Sequence, residues 1–359
     1  MPRNTLAVMM AVLLAVSLVG VGAIAAPVAA EHDDEDCSFP FEGTDLTGTN
    51  VTLDEPAEDV VLLDAASTQT FWEIGADDRV VGMPVEEWTA YLDGSEDKAD
   101  VTDGQTVLVE RVIELEPDLV VAPNFADEDT VEQLRDAGLT VYQLEFEESF
   151  EDIYAKTTLF GHFVGDCEAA SNTVEETQNE VEEIRTAVEG EDEPRVLYYF
   201  FGFTAGDGTF IGDLVETAGG ENVAATAGVE GFVEISDEVI VEQDPEWIVA
   251  PSHAGMPVDE EPLASTTAAE LEQTLVVDEN LVSQAAPRVV EPLRAMAEAF
   301  HPEAFEAETP ADADADEEQE TPEEATEPAD ADADADGSGF GIAVAVSALL
   351  AAALLARRP

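Results

Sequence analysis

ERVIELEPDLVVAP, at Glu110–Pro123, recurs without gaps as EVIVEQDPEWIVAP at Glu238–Pro251, and six of the fourteen positions are identical. Each copy predicts a short helix that stops before a proline and is followed by a buried parallel strand of branched apolar residues. A weaker echo precedes each copy, at 72–81 and 215–224, where a helix end, a glycine cap and an apolar strand are predicted. The body is therefore predicted to be an α/β protein with two related lobes. The alternative is the generic helix-to-strand recurrence of any α/β protein.

The segment between the two copies predicts how the lobes are joined. From Cys167 to Val188 there is neither proline nor glycine, and apolar or small residues recur at steps of three and four. This spacing predicts one helix about 33 Å long, preceded by a shorter helix at 150–163 that Gly165 ends. A rigid helix of that length would join two Rossmann-like lobes and leave a ligand cleft between them. The predicted boundaries are 31–166 for the first lobe, 167–190 for the helix and 191–305 for the second lobe.

Both ends of the chain carry targeting patterns. Residues 1–30 combine one early arginine, an apolar run and small residues, which predicts a cleaved secretory signal; an uncleaved membrane anchor is the alternative. Residues 339–359 hold an apolar stretch closed by two arginines, which predicts a membrane span or sorting segment with the arginines inside the cell. Residues 306–338, rich in Asp, Glu, Ala and Pro, predict an extended acidic stalk. The expected location is the extracellular face of the cell membrane, with a C-terminal anchor.

The charge of the chain restricts its environment and partners. The net charge is -71, from 83 acidic and 12 basic residues, and the stalk holds only 15 of the acidic ones. Such a body repels itself unless concentrated salt screens it, so a halophilic source is expected. Nucleic acid is excluded as a partner because its recognition needs clustered Lys and Arg.

Export also sets expectations for single residues. Cys37 and Cys167 are expected to form a disulfide in an oxidising compartment; two free thiols are the alternative. Asn50 begins the sequon Asn-Val-Thr and is a candidate glycosylation site. 

Motifs of enzymes and of metal sites are missing from the sequence. There is no Gly-x-Ser-x-Gly, phosphate loop or metal triad, and the four histidines show no metal-ligand spacing. We therefore expect no enzyme, no resident metal and no cofactor. A cell-surface hydrolase and a structural or adhesion protein are the alternatives, although adhesion proteins are usually repeated β-sandwiches.

Four segments carry a resemblance to a known family. They are Thr68–Gly82, Glu116–Val120, Gly212–Val223 and Asp244–Ile248. They resemble the helix-linked solute-binding proteins of ABC importers, which capture cobalamin, haem or ferric siderophores, and the resemblance extends over residues 50–301. It implies an ABC permease and ATPase as partners and a small-molecule metal chelate as ligand, with a corrinoid first and a ferric siderophore or haem second.

The C-terminus carries a second resemblance. The segment from Ser338 to Gly341, before the apolar run, is similar to the haloarchaeal Pro-Gly-Phe sorting signal, with Ser338 in place of the proline. This resemblance implies an archaeosortase as a partner, which replaces the span with a lipid; a retained span is the alternative.

The ligand site is expected where the parallel strands of both lobes end, in the cleft. The candidates follow predicted strands and are mostly aromatic or polar: Trp88, Tyr91, Asn124, Phe125, Phe201, Phe203, Ser252 and His253. His253 has two interpretations, a hydrogen-bonding residue of the cleft or an axial ligand to a chelated metal.

The resemblance also implies that an acidic residue on each lobe docks against arginines of the permease. Glu216 holds that position in the second lobe. Gln69 fills it in the first lobe, and Glu73, one helical turn on, is the substitute; simple solvation of either glutamate is the alternative.

Overall fold

A computed structural model describes residues 37–104 and 106–306, with the side chains of that range except Glu306. The predictions for the signal peptide, the C-terminal segment and, apart from Glu306, the stalk lie outside the described residues. Within the described part, no helix combines the length and the apolar character that a membrane span requires.

Two parallel sheets, one in each half of the chain, form the frame of the fold. The strands of the first half are β1 (Phe41–Thr44), β2 (Asn50–Leu53), β3 (Val60–Leu62), β4 (Val80–Met83), β5 (Ala99–Asp100), β6 (Thr102–Asp103), β7 (Thr106–Val107), β8 (Leu119–Ala122) and β9 (Val141–Gln143). Those of the second half are β10 (Arg195–Tyr198), β11 (Phe203–Ala205), β12 (Glu221–Asn222), β13 (Phe232–Glu234), β14 (Trp247–Pro251) and β15 (Thr274–Val277).

Helices alternate with these strands. They are α1 (Ala65–Glu73), α2 (Val109–Glu114), α3 (Glu128–Asp136), α4 (Phe150–Val164), α5 (Cys167–Val188), α6 (Phe210–Thr217), α7 (Val223–Thr226), α8 (Asp237–Gln243), α9 (Thr267–Glu270), α10 (Glu279–Val282), α11 (Val290–Phe300) and α12 (Pro302–Glu306). The predicted α/β class is confirmed.

Four strands of each sheet share one order. The first sheet runs β5-β4-β3-β8-β9 and the second runs β12-β10-β14-β15, with every neighbouring pair parallel. If β3 and β10 are each taken as the first strand of their half and the additional edge strand β5 is left out, both sheets read 2-1-3-4. The repeated sequence occupies equivalent places, since it forms α2 and β8 in the first half and α8 and β14 in the second. The predicted recurrence therefore extends from sequence to topology.

The repeated strand shows why its residues are branched and apolar. All four residues of β8 are buried, with Leu119 and Val121 packed in one core cluster and Val120 and Ala122 in another. Successive side chains of a strand point to opposite faces, so a sheet covered on both faces needs apolar residues at every position. In β14, Ile248 and Val249 divide between two clusters in the same way.

Helices α4 and α5 form a close antiparallel pair, because Gly165 at the end of α4 turns the chain with a φ of +75°. A Cβ atom at Gly161 would lie 2.4 Å from the Cβ of Ala170, so only glycine allows this approach. The helix predicted at Cys167–Val188 is present with those bounds.

Both helices of this pair reach the cores of both halves. In α5, Ala170 packs in the core of the first half, whereas Val181 and Ile184 pack in that of the second. In α4, Phe160 packs with the first half and Phe150 with the second. The role of α5 as the single rigid link therefore stays a prediction, as do the lobe boundaries, because α4 lies beside it and spans the same distance.

The N-terminal end of the described chain is fastened to this helix pair. Cys37 and Cys167 form the predicted disulfide, with their Cα atoms 5.5 Å apart. The bond joins the strand-forming N-terminal segment to the first residue of α5.

Candidate functional site

The topology indicates where a ligand would lie. In a parallel sheet of order 2-1-3-4, the connections after strands 1 and 3 leave on opposite sides and open a crevice at the carboxyl ends. This point lies between β3 and β8 in the first half and between β10 and β14 in the second. The loops that follow these strands therefore define the candidate site.

Loops of the two halves touch through aromatic rings, at a contact that we call the mouth (Trp88, Phe201 and His253). Trp88 follows β4 of the first half, and its ring lies edge-on to that of His253, with 5.2 Å between centroids. Phe201, after β10, lies 5.4 Å from the same imidazole. The structure thus brings three of the predicted site residues together across the two halves.

Phenylalanine rings are unusually exposed at the strand ends. Their exposed fractions are 75% for Phe125, 64% for Phe146, 63% for Phe201, 49% for Phe232 and 42% for Phe203. Phe125 and Phe146 follow β8 and β9, whereas the other three lie after β10 or on the antiparallel strand pair β11–β13. Exposed apolar surface is unfavourable in water, so several rings left exposed after the strands of both halves indicate a surface that an apolar partner covers.

Two of these rings, Phe146 and Phe232, were missed by the sequence analysis. Phe146 satisfies the strand-end rule that selected Phe125, because it stands three residues after β9. Phe232 carries no such signal, since its exposure depends on the pairing of β13 with β11.

The remaining predicted site residues make contacts within the protein. The amide of Asn124 donates to the carbonyl of Glu145 at 3.3 Å, and Ser252 Oγ accepts from the backbone N–H of Glu279 at 3.2 Å. Tyr91 is half-buried, and burial raises the pKa of its hydroxyl, which donates to Gln284 Oε1 at 3.1 Å. Tyr91 therefore belongs to the contact between the halves.

That contact, which we call the seam, is a polar network centred on Gln69 and Gln284. Gln69 Nε2 donates to Tyr91 Oη at 2.7 Å and to Gln284 Oε1 at 3.2 Å, and Gln69 Oε1 accepts from the backbone N–H of Arg288 at 3.0 Å. Gln284 Nε2 completes the network by donating to the carbonyl of Trp88 at 2.9 Å. Gln69 is fully buried, so this position belongs to the seam and not to a docking surface.

Two ion pairs extend the seam. Arg288 Nε lies 2.6 Å from Glu73 Oε1, which joins α1 of the first half to the segment before α11. Lys156 on α4 is buried and donates to Glu147 Oε1 at 2.7 Å and to the carbonyl of Ala285 at 2.5 Å. Buried charges need such partners because desolvation is costly. No sequence signal identifies the pairing of Arg288 with Glu73 or of Lys156 with Ala285, because these partners are far apart in the chain.

A half-buried carboxylate ties α6 to α4. Asp213 Oδ2 accepts the backbone N–H of Phe150 at 3.0 Å, at the first turn of α4. Burial raises the pKa of Asp213, although this hydrogen bond opposes the shift.

The candidate docking residues have unequal surroundings. The carboxylate of Glu73 is held by Arg288, whereas Glu216 is exposed and, among the described residues, has no ion-pair partner. Partial desolvation, followed by the charges of Asp213 and Asp207, raises the pKa of Glu216. Asn50, the candidate glycosylation site, is exposed at the start of β2.

The described residues contain one group with three possible metal ligands, Cys37, His162 and Cys167. Its two sulfur atoms are joined in the disulfide, so they cannot supply the thiolates that a metal would need. 

Comparison with known proteins identifies the family. The model of the periplasmic binding proteins matches residues 60–281, which include both parallel sheets and the loops that form the mouth. The chain belongs to the periplasmic binding protein family. Members of this family are binding components of transport systems, and a second match, to the PGF-CTERM motif at residues 339–358, shows that this one is anchored at the cell surface through its C-terminus.

The chain is similar to a curated cobalamin-binding protein of Halobacterium salinarum. The two are 39% identical over 318 residues, which cover 84% of this chain and 86% of the relative.

Solved structures of other binding proteins share the fold. The haem-binding protein RhuT of Roseiflexus sp. RS-1 has a TM-score of 0.63 at 22% identity, over 69% of this chain and 99% of that one. The vitamin B12-binding protein BtuF of Vibrio cholerae has a TM-score of 0.60 at 19% identity, over 69% of this chain and 98% of that one. At these identities the likeness concerns architecture alone.

Proposed function

We propose that this periplasmic binding protein captures a corrinoid and delivers it to an ABC importer, with a ferric siderophore or haem as the second candidate ligand. The observation that carries the proposal is the exposure of phenylalanine rings at the strand ends of both halves, one of which, Phe201, belongs to the mouth. A broad chelate with an apolar ring can cover several of them at once. The name of the 39% identical relative supports the choice of a corrinoid.

In this proposal the protein binds without catalysis. Family membership implies a permease and an ATPase as partners, and the C-terminal motif implies processing by an archaeosortase. The metal belongs to the cargo, so the protein needs no resident metal or cofactor.

Cargo entry requires the mouth to open. The contact of Trp88 with His253 joins a loop of the first half to a loop of the second, and a ligand between them has to replace it. Because an exposed ring pair contributes only about 1 kcal/mol, ligand contacts readily compensate for its loss.

Docking on a permease of two subunits favours acidic residues that the internal duplication relates. Glu216 and Glu73 differ in their surroundings, as described above. Glu110 and Glu238 are identical in the repeat, exposed, and placed in the first turns of α2 and α8. We therefore add this pair to Glu73 and Glu216 as candidates for contact with permease arginines.

Ligand binding is tested by titrating the full chain in multimolar KCl with cobalamin, cobinamide, haemin and a ferric hydroxamate. We expect saturable binding of the corrinoids. Phe201→Ala should weaken it at least tenfold, since burial of a phenylalanine contributes about 2 kcal/mol. Leu271→Ala is the matched control because Leu271 is 61% exposed and lies before β15, away from the carboxyl ends of the strands. Binding of none of the four ligands contradicts the proposal.

Docking is tested by charge reversal and transport. Glu110→Lys combined with Glu238→Lys should reduce corrinoid uptake while leaving the affinity in solution unchanged. Glu216→Lys, measured in parallel, distinguishes the two sets of candidates. Unchanged uptake in all of these variants contradicts the docking proposal.

A further inference from the structure

The loops at the strand ends contain no cationic residue. The segments that follow β3, β4, β8, β9, β10, β14 and β15 are residues 63–64, 84–94, 123–127, 144–149, 199–202, 252–262 and 278–287. They hold thirteen Asp or Glu and no Lys or Arg. Apart from these acids, their ionisable side chains are those of His253, Tyr91 and Tyr199.

The cations that lie beside these segments are already occupied. Lys156 is buried between Glu147 Oε1 and the carbonyl of Ala285. Arg288, the first residue after segment 278–287, is paired with Glu73 at 2.6 Å, and its guanidinium lies 5.7 Å from the centre of the Tyr91 ring. Neither can turn to an incoming anion without breaking the seam.

Among the described residues of these segments and beside them, an anionic ligand would therefore find carboxylates and rings but no free lysine or arginine. A carboxylate that loses its water on binding needs a charged or hydrogen-bonding partner in return, and leaving it without one costs more than the hydrogen bond itself contributes. A primary amide carries no charge, so its desolvation costs less, the surrounding acids do not repel it, and its N–H groups can donate to their carboxylates. The exposed phenylalanines can pack against the apolar part of a carboxylate-bearing ligand and of an amide-bearing ligand alike, so they do not distinguish the two.

We infer that the site selects chelates whose periphery is uncharged or cationic, such as amide-bearing corrinoids, and rejects chelates that present carboxylates or other anionic groups. This inference rests on the proposed function and narrows its ligand class. It places haem, with its two propionates, and anionic siderophores below amide-bearing corrinoids and neutral hydroxamates.

The inference predicts how ligand affinity depends on salt concentration. In multimolar salt the Debye length is about 3 Å or less, so only charges in contact with the ligand act on it. As the salt concentration falls within the range in which the protein stays folded, repulsion from the unpaired acidic side chains of these segments reaches further. The affinity for an anionic ligand should therefore decrease as the salt concentration decreases, and by more than the affinity for an uncharged ligand.

The test compares two ligands that share one corrin ring. Cobinamide carries amides at its periphery, whereas cobyrinic acid carries carboxylates at the same positions. We expect cobinamide to bind the full chain at least about a hundredfold more tightly than cobyrinic acid, because several carboxylates are left without partners. The ratio should grow as salt is lowered, with circular dichroism used to verify that the chain is folded.

Charge reversal makes the test sharper. Glu87→Arg, beside Trp88 in segment 84–94, should reduce the ratio about tenfold by giving the carboxylates a cationic partner. Asp192→Arg is the matched control, since Asp192 is exposed and lies before β10, at the opposite end of the strands. It should leave the ratio unchanged.

The outcomes separate this inference from the proposed function. Equal affinity for the two corrinoids, or tighter binding of cobyrinic acid, overturns the charge selectivity while the receptor function stands. Binding of neither corrinoid overturns the corrinoid proposal on which the inference rests.

Discussion

The seam and the mouth both join the two halves, but they do so by different chemistry. The seam consists of buried amides and ion pairs whose polar atoms satisfy one another, from Gln69 and Gln284 to Lys156. The mouth consists of partly exposed rings without a hydrogen bond between them. A buried polar group that loses its partner is costly, whereas exposed rings only exchange contact for solvent. We therefore expect the seam to hold and the mouth to open during ligand exchange.

The largest expected effect concerns the buried ion pair of the seam. Glu147→Gln removes the carboxylate from Lys156 and should lower the free energy of unfolding by about 3 kcal/mol, since it leaves a buried charge without its partner. Denaturant unfolding in concentrated salt measures it. Glu145→Gln is the control, because Glu145 is exposed two residues away. Equal stability of the two variants would show that the seam is not held by this pair.

The amide network should contribute less, because its groups are uncharged. Gln284→Ala removes the partner of Gln69 and of the Trp88 carbonyl, which should cost about 2 kcal/mol of unfolding free energy. Gln178→Ala, on the exposed face of α5, should leave it within about 0.5 kcal/mol. If both substitutions change the free energy of unfolding equally, the amides of the seam do not contribute more to stability than an amide on the surface.

The mouth should show a weak coupling. A double-mutant cycle of Trp88→Ala and His253→Ala should give a coupling energy in unfolding of about 1 kcal/mol or less, as expected for a partly exposed aromatic pair. The same variants should change the rates of corrinoid binding and release. A coupling energy of about 3 kcal/mol, as large as the effect expected for Glu147→Gln, would contradict the view that the mouth opens more easily than the seam.

The smallest expected effect depends on pH. Burial raises the pKa of Asp213 in the folded state, so its contribution to stability is present at low pH and is lost as the pH rises through that raised pKa. Asp213→Asn should remove this pH-dependent contribution, which amounts to less than about 1 kcal/mol for a half-exposed group in salt. Unfolding curves between pH 4 and 7 measure it. Asp54→Asn, at an exposed position, should leave the pH dependence unchanged.

Prediction from sequence succeeded where the pattern was local. The repeat at Glu110–Pro123 located β8 and its equivalent β14, and the uninterrupted segment Cys167–Val188 gave the bounds of α5. The strand-end rule selected Trp88, Phe201 and His253, which meet at the mouth. It also selected Tyr91, whose hydroxyl the structure places in the seam.

The sequence by itself determined the class of fold, because the alternation of apolar residues with proline and glycine is a property of neighbouring residues. It also determined the acidity of the strand ends, which is a matter of composition. Only the tertiary structure decided which polar groups are paired: Gln69 meets Gln284 across 215 residues, and Lys156 meets Ala285 across 129. Buried hydrogen bonds depend on position in space, and no local pattern records which distant residue supplies the partner.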